Sequence, residues 1–332
     1  MKKLFFTVSI LFFIASCSND NTIEIPEETG TPVVTENETY TVTVTRNIVY
    51  AQGLSHETLN SSNATTMNLV LDAYVPDNTS NNRPAMLLIH GGGFTSGSKE
   101  APQIVNLANY FASRGWVTFS IDYRIQGNLG TVPQNWVTFA ENNLDPTMVN
   151  VNQFLALYPA SRDAKAALRW VFANAANYNI NTDYMTVGGG SAGAVTATML
   201  GVTDAEDYRD EISTTIDPTL ATTNLNQATK VHSILDFWGS GVTVEVLNDL
   251  YGRERFDTND APIIIIHGTE DPTVLFEEAE KLRDTYNNTG VAYEFYPLEG
   301  AGHGVWDATV NGNRLEKLCF DFLVAQQQLE VQ

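Results

Sequence analysis

The stretch Tyr184-Met185-Thr186-Val187-Gly188-Gly189-Gly190-Ser191-Ala192-Gly193-Ala194-Val195 decides the fold. Its first five residues read as a buried strand, and the Ala/Val/Thr/Met/Leu run from Ala192 reads as a helix. Between them stands one serine flanked by glycines. In a strand-to-helix turn this tight, side chains two positions to either side of Ser191 would collide with neighbouring backbone, so glycine is required there. The serine itself accepts a strained backbone that pushes its Oγ into the open. The helix that follows points its free N–H groups, that of Ala192 included, toward negative charge developing beside that oxygen. Ser191 is therefore the candidate nucleophile. Three fixed positions in five also recur in ordinary loops, so the remaining machinery has to be found elsewhere in the chain.

It is found in order. His90-Gly91-Gly92-Gly93-Phe94 follows the strand Met86-Leu87-Leu88-Ile89. Glycines there let backbone N–H groups approach a bound carbonyl unhindered, and an HGGG run at this place supplies half of an oxyanion hole in lipases and esterases. Gly91 and Gly92 are the favoured donors, with Gly93 as a third candidate. Downstream, Ile263-Ile264-Ile265-Ile266 leads into His267-Gly268-Thr269-Glu270-Asp271-Pro272. Asp271 is the candidate acid, because Pro272 fixes the loop beside it; Glu270 competes and reads as solvated. Gly300-Ala301-Gly302-His303-Gly304 then offers an imidazole in a glycine-rich loop. His56, His90, His232 and His267 all precede Asp271, so His303 is the candidate base.

Around these motifs the chain alternates. Tyr40–Thr45 and Asn68–Val75 read as antiparallel strands closed by Pro76. From residue 84, apolar strands (85–89, 116–121, 185–187, 231–237, 263–266, 293–296) alternate with helical patterns near 101–113, 161–177, 192–201, 275–287 and 313–327. Such alternation predicts a mostly parallel sheet of eight strands, with an antiparallel N-terminal edge and helices on both faces. Residues 125–160 read as an irregular insertion at the site's mouth. Phe94, Trp136, Phe139 and Phe154 are candidate substrate-wall residues; for the last three, a structural plug under a long loop is the competing reading.

The N-terminus is separate from this domain. Lys2 and Lys3 precede the apolar run Leu4–Ile14, which is too short to span a bilayer as a mature helix, so residues 1–16 are expected to be an export signal. Ile14-Ala15-Ser16-Cys17 resembles a bacterial lipobox, which predicts lipidation of Cys17 and a membrane anchor, with the outer membrane or cell surface as the expected location. Residues 17–39, rich in Asn, Glu, Thr and Pro, are expected to be a flexible tether, and 40–332 a single catalytic domain. Only Cys319 would remain as a free thiol, in an apolar helical setting. With 18 basic and 39 acidic residues the net charge is −21. That field excludes nucleic acid and other polyanions as partners and favours neutral or apolar substrates, or serves solubility alone. No metal-ligand cluster or cofactor motif is visible, so neither is required.

Taken together the motifs resemble an α/β-hydrolase of the HGGG carboxylesterase group, similar to hormone-sensitive-lipase-like and bacterial feruloyl-esterase-like enzymes. The resemblance is carried by HGGGF at 90–94, SIDYR at 120–124, DAKAALRW at 163–170, GGGSAG at 188–193, HGTEDPTV at 267–274 and GAGHG at 300–304, and covers roughly 65–328. The order Ser191, Asp271, His303 is the chain order of that fold. The resemblance implies hydrolysis of small-molecule or oligosaccharide esters through an acyl-enzyme, with acetyl or feruloyl groups on polysaccharide as one class. No large helical cap is apparent at the N-terminus, which speaks against long-chain lipid substrates. A prolyl-oligopeptidase-like peptidase shares the triad order but normally carries a propeller domain for which this chain has no room. A non-catalytic binding lipoprotein would normally have lost a triad member, and here all three stand.

Overall fold

In the computed structural model, residues 30–147 and 149–332 are described. The expected export signal and Cys17 lie outside the described residues. Eight strands form one sheet: β2 (Val42–His56), β3 (Ala64–Pro76), β4 (Arg83–Ile89), β5 (Val117–Ile121), β6 (Ile180–Gly190), β7 (Ser233–Phe237), β8 (Ile263–Gly268) and β9 (Tyr293–Leu298), in the spatial order 2-3-5-4-6-7-8-9. β2, β3 and β5 pair antiparallel, and every neighbour from β5 to β9 is parallel. This is the α/β-hydrolase fold.

The apolar runs explain the layering. Ala85, Leu87 and Ile89 face one core while Met86 and Leu88 face the other, and Ile263 and Ile265 divide from Ile264 and Ile266 in the same way. A strand covered on both sides needs no polar alternation, which is why these segments are continuously hydrophobic. One core is closed by α1 (Pro102–Ala112) and, near the C-terminus, α7 (Leu315–Gln327). The other is closed by α2 (Gln134–Asn143), α3 (Val151–Ala173), α4 (Ala192–Val202), α5 (Val242–Tyr251) and α6 (Phe276–Thr289). Each fully buried isoleucine or leucine contributes roughly 1.5–3 kcal/mol of transfer free energy. Cys319 is buried in the α1/α7 core, and desolvation pushes its thiol well above the ordinary range.

Two expectations need correction. The segment 125–160 is not irregular: it holds α2 and the first ten residues of α3. α3 accommodates Pro159 with its ring against Gly130, where an added Cβ would lie 2.5 Å away. The described end of the expected tether is also ordered. β1 (Val33–Val34) pairs in parallel with β12 (Glu330–Val331), and Val34 is fully buried. A hairpin of β10 (Thr309–Val310) and β11 (Asn313–Arg314) precedes α7.

Candidate active site

Ser191 sits where β6 turns into α4, at φ 57° and ψ −124°. Strain of this kind costs of the order of 1–3 kcal/mol and persists only where the surroundings enforce it. Here they do. A Cβ at Gly189 would come 2.3 Å from the Ile89 carbonyl oxygen, and one at Gly193 would come 2.0 Å from the same atom. The two glycines thus let β6, α4 and the end of β4 meet. The Ser191 N–H donates to the Phe237 carbonyl at 2.9 Å, which ties the elbow to β7.

The three widely separated polar residues form one line. Ser191 Oγ donates to His303 Nε2 at 2.9 Å, and His303 Nδ1 donates to Asp271 Oδ2 at 2.7 Å. Proton positions follow from this network: a carboxylate can only accept, so the proton lies on Nδ1 and Nε2 is free to take one. Asp271 is buried, and its Oδ1 accepts from the backbone N–H groups of Thr273 at 2.8 Å and Val274 at 3.1 Å. His267 donates through Nε2 to the Val274 carbonyl at 2.9 Å and so braces the same loop. Glu270 is exposed, and its side chain makes no hydrogen bond to this line. His303 remains partly exposed, 22% for its side chain.

The oxyanion loop packs directly on the elbow. A Cβ at Gly91 would lie 2.8 Å from the Gly190 carbonyl oxygen and 3.4 Å from Ser191 Cβ. His90 stacks on Tyr123 at 4.2 Å between ring centroids, and Tyr123 donates its hydroxyl to the His90 carbonyl at 2.9 Å. Burial lowers the pKa of His90, so it is neutral and donates through Nδ1 to the Gly91 carbonyl at 2.6 Å. Ala192 is the first residue of α4, so its N–H has no intrahelical acceptor and is open beside Ser191.

The expected substrate wall is partly displaced. Trp136 is fully buried among Tyr158, Tyr208 and Phe154, as a core plug. Phe94 is 6% exposed and leans on Tyr123 inside the core, so it too is packing. Phe139 and Phe154 stack at 6.0 Å and stay half-buried against that core. Two indoles without a role in the sequence reading pack beside His303, Trp238 being itself fully buried. Trp238 presents its ring edge-to-face to His303 at 6.2 Å and to Trp306 at 4.8 Å. Trp306 lies so close to the elbow that a Cβ at Gly190 would meet its ring at 2.6 Å. Their only sequence signal was position: Trp238 closely follows the end of β7, and Trp306 the loop that holds His303. Trp306 also borders a groove of about 670 Å³ whose rim includes Gln103, Asn106, Asp307 and Arg314.

Comparison with known proteins places the chain. The sequence model of the BD-FAE family matches residues 71–135 and 139–249, more than half of the chain and inclusive of the oxyanion loop and elbow. The chain is 25% identical over 248 residues to esterase LipC of Mycobacterium tuberculosis, covering 67% of this chain and 53% of that protein. To esterase LipQ of the same organism it is 23% identical over 265 residues, covering 72% and 55%. It therefore spans about half the length of the curated relatives it matches. Among solved structures, a thermophilic esterase of the planctomycete Thermogutta terrifontis with propionate bound superposes with a TM-score of 0.56 at 24% identity, covering 86% of this chain and 94% of that one. The same esterase phosphorylated by paraoxon gives 0.55 at 24% identity, with 83% and 94% covered. These likenesses bear on fold.

Proposed function

The chain belongs to the BD-FAE family, and on that premise we propose that it is a serine carboxylesterase acting through an acyl-enzyme. The observation that carries the reading is the hydrogen-bonded line from Ser191 Oγ through His303 to Asp271. His303 Nε2 takes the hydroxyl proton as Ser191 attacks the ester carbonyl, and Asp271 stabilises the resulting imidazolium. The oxyanion is received by N–H groups of Ala192 and the Gly91–Gly93 loop, each such donor typically contributing about 10²–10³ in rate. His303 then gives its proton to the departing alcohol, and a water activated by the same nitrogen releases the acid.

The finer substrate class is an acetyl or feruloyl ester of a saccharide. It is supported by the groove beside Trp306, where an indole and the hydrogen-bonding groups of Gln103, Asn106, Asp307, Arg314 and Glu316 suit a polyhydroxylated alcohol. The acidic net charge of −21 disfavours polyanionic substrates. The sequence of residues 1–17 supports an exported lipoprotein anchored through Cys17. In the bacterium that encodes it, radiolabelled palmitate should enter the full chain and not its Cys17→Ser variant; equal labelling would remove the anchor from the proposal.

The test of the reading is chemical. The protein lacking residues 1–17 should hydrolyse p-nitrophenyl acetate, and paraoxon should stop it by phosphorylating one residue. Peptide mass mapping should find that group on Ser191. A label elsewhere, or hydrolysis that survives full modification of Ser191, would reject the assignment.

A further inference from the structure

The oxyanion loop holds an unfavourable shape. Gly92, Gly93 and Phe94 all lie at positive φ, 114°, 58° and 59°, and the last carries a bulky side chain that disfavours that region. A loop of this kind keeps its conformation only while its carbonyls are held. Two are held from within: the Gly91 carbonyl accepts from His90 Nδ1, and the Gly92 carbonyl accepts from the N–H groups of Thr95 at 3.0 Å and Ser96 at 3.1 Å. The next two are held from outside, by the first turn of α3 and by the connection after β5. The Gly93 carbonyl accepts from Gln153 Nε2 at 2.7 Å, and the Phe94 carbonyl accepts from the Gln126 N–H at 2.7 Å.

A peptide unit carries its C=O and N–H on opposite edges of one plane. The Gly93 N–H lies in the plane of the Gly92 carbonyl, which Thr95 and Ser96 hold; Gln153 fixes the following plane, that of the Gly93 carbonyl and the Phe94 N–H, and so stops the loop turning about the Gly93 Cα. Gln153 is the third residue of α3, where a glutamine ordinarily folds back onto the N-cap N–H. Here the Asn150 side chain caps the helix by accepting from the Gln153 N–H at 3.2 Å, and its Nδ2 donates to Gln126 Oε1 at 3.2 Å. The Gln153 amide turns to Gly93 in place of the N-cap N–H, close enough that a Cβ on Gly93 would lie 3.1 Å from Nε2.

We propose that Gln153 is a positioning residue for the oxyanion loop, clamping the Gly93 carbonyl so that the loop's N–H groups stay aimed at the charge formed on the substrate oxygen. The inference rests on the esterase reading. It assigns to α3, which also carries Phe154, the task of tying the substrate-facing segment to the transition-state geometry.

The test uses Gln153→Ala and the isosteric Gln153→Glu, assayed with p-nitrophenyl acetate and with benzyl trifluoromethyl ketone, whose carbonyl the serine converts to a tetrahedral oxyanion. Gln153→Ala should lower kcat by about ten-fold or more with KM within about two-fold, and weaken the ketone by the same factor, because aimed donors matter most once the oxygen is charged. In Gln153→Glu a carboxylate cannot donate and faces a carbonyl oxygen. Its kcat/KM relative to the parent at the same pH should be low near pH 8 and rise toward pH 5, as the carboxyl gains a proton it can donate. Taking the ratio to the parent removes every pH effect the two proteins share. A glutamine that only steadies the fold would lower thermal stability and leave that ratio flat. Activity of Gln153→Ala within about two-fold of the parent, or a loss without matching loss of ketone affinity, would overturn the proposal. A parent protein inactive on esters would instead remove the esterase reading beneath it.

Discussion

Ser191→Ala is expected to lower kcat/KM for p-nitrophenyl acetate by about five to six orders of magnitude, leaving only the slow turnover that an oxyanion hole and binding provide. The size of the loss follows from the geometry. Ser191 Oγ is the only hydroxyl at hydrogen-bond distance from His303 Nε2 among the described residues, at 2.9 Å. Alanine at the same φ of 57° keeps the turn and its N–H bond to Phe237, because those depend on backbone and on Gly189 and Gly193. The melting temperature should therefore stay within a few degrees of the parent, a shift of about 1 kcal/mol or less. Residual activity within about 100-fold of the parent, with the fold intact by circular dichroism, would place the nucleophile elsewhere.

The parts legible in the sequence are those whose chemistry constrains the chain locally. Gly189 and Gly193 had to be glycine because the Ile89 carbonyl lies 2.3 and 2.0 Å from where their Cβ atoms would be. That crowding leaves a fixed pattern around Ser191. The four isoleucines 263–266 show no polar alternation because both faces of β8 are covered, and so the parallel sheet could be read directly. The line through His303 could be drawn because chain order left one histidine after the acid.

What stayed hidden is made by neighbours that meet only across the sheet. Trp238 and Trp306 are 68 positions apart in the chain and stand edge-to-face at 4.8 Å only because β7 and the histidine loop end beside the same elbow. Gln153 is 60 positions from Gly93, and nothing in the composition of either segment announces that bond. Trp136, by contrast, was visible but ambiguous. An aromatic in a long connection can line a cleft or plug a core, and only its contacts with Tyr158 and Tyr208 decide for the plug.

Asp271→Asn is expected to cost about four orders of magnitude in kcat while Glu270→Gln changes it by less than about three-fold. The asparagine would fit. Its oxygen can still accept from the N–H groups of Thr273 and Val274, which now hold Oδ1 of the acid at 2.8 and 3.1 Å. That leaves its NH₂ group against His303 Nδ1, where the native carboxylate accepts a hydrogen bond at 2.7 Å. An amide nitrogen can only donate, so Nδ1 must become the acceptor and the imidazole proton moves to Nε2. In that tautomer Nε2 cannot take the proton of Ser191, although every heavy atom is within hydrogen-bond reach. Glu270 makes no such contact, being exposed with only its backbone N–H bound, to the Ala301 carbonyl at 2.9 Å. A pre-steady-state assay with p-nitrophenyl acetate separates the two roles: slowed acylation in Asp271→Asn and an unaltered burst in Glu270→Gln. If Glu270→Gln loses the burst and Asp271→Asn retains it, the acid of this site is Glu270 and the hydrogen bond from His303 to Asp271 is structural.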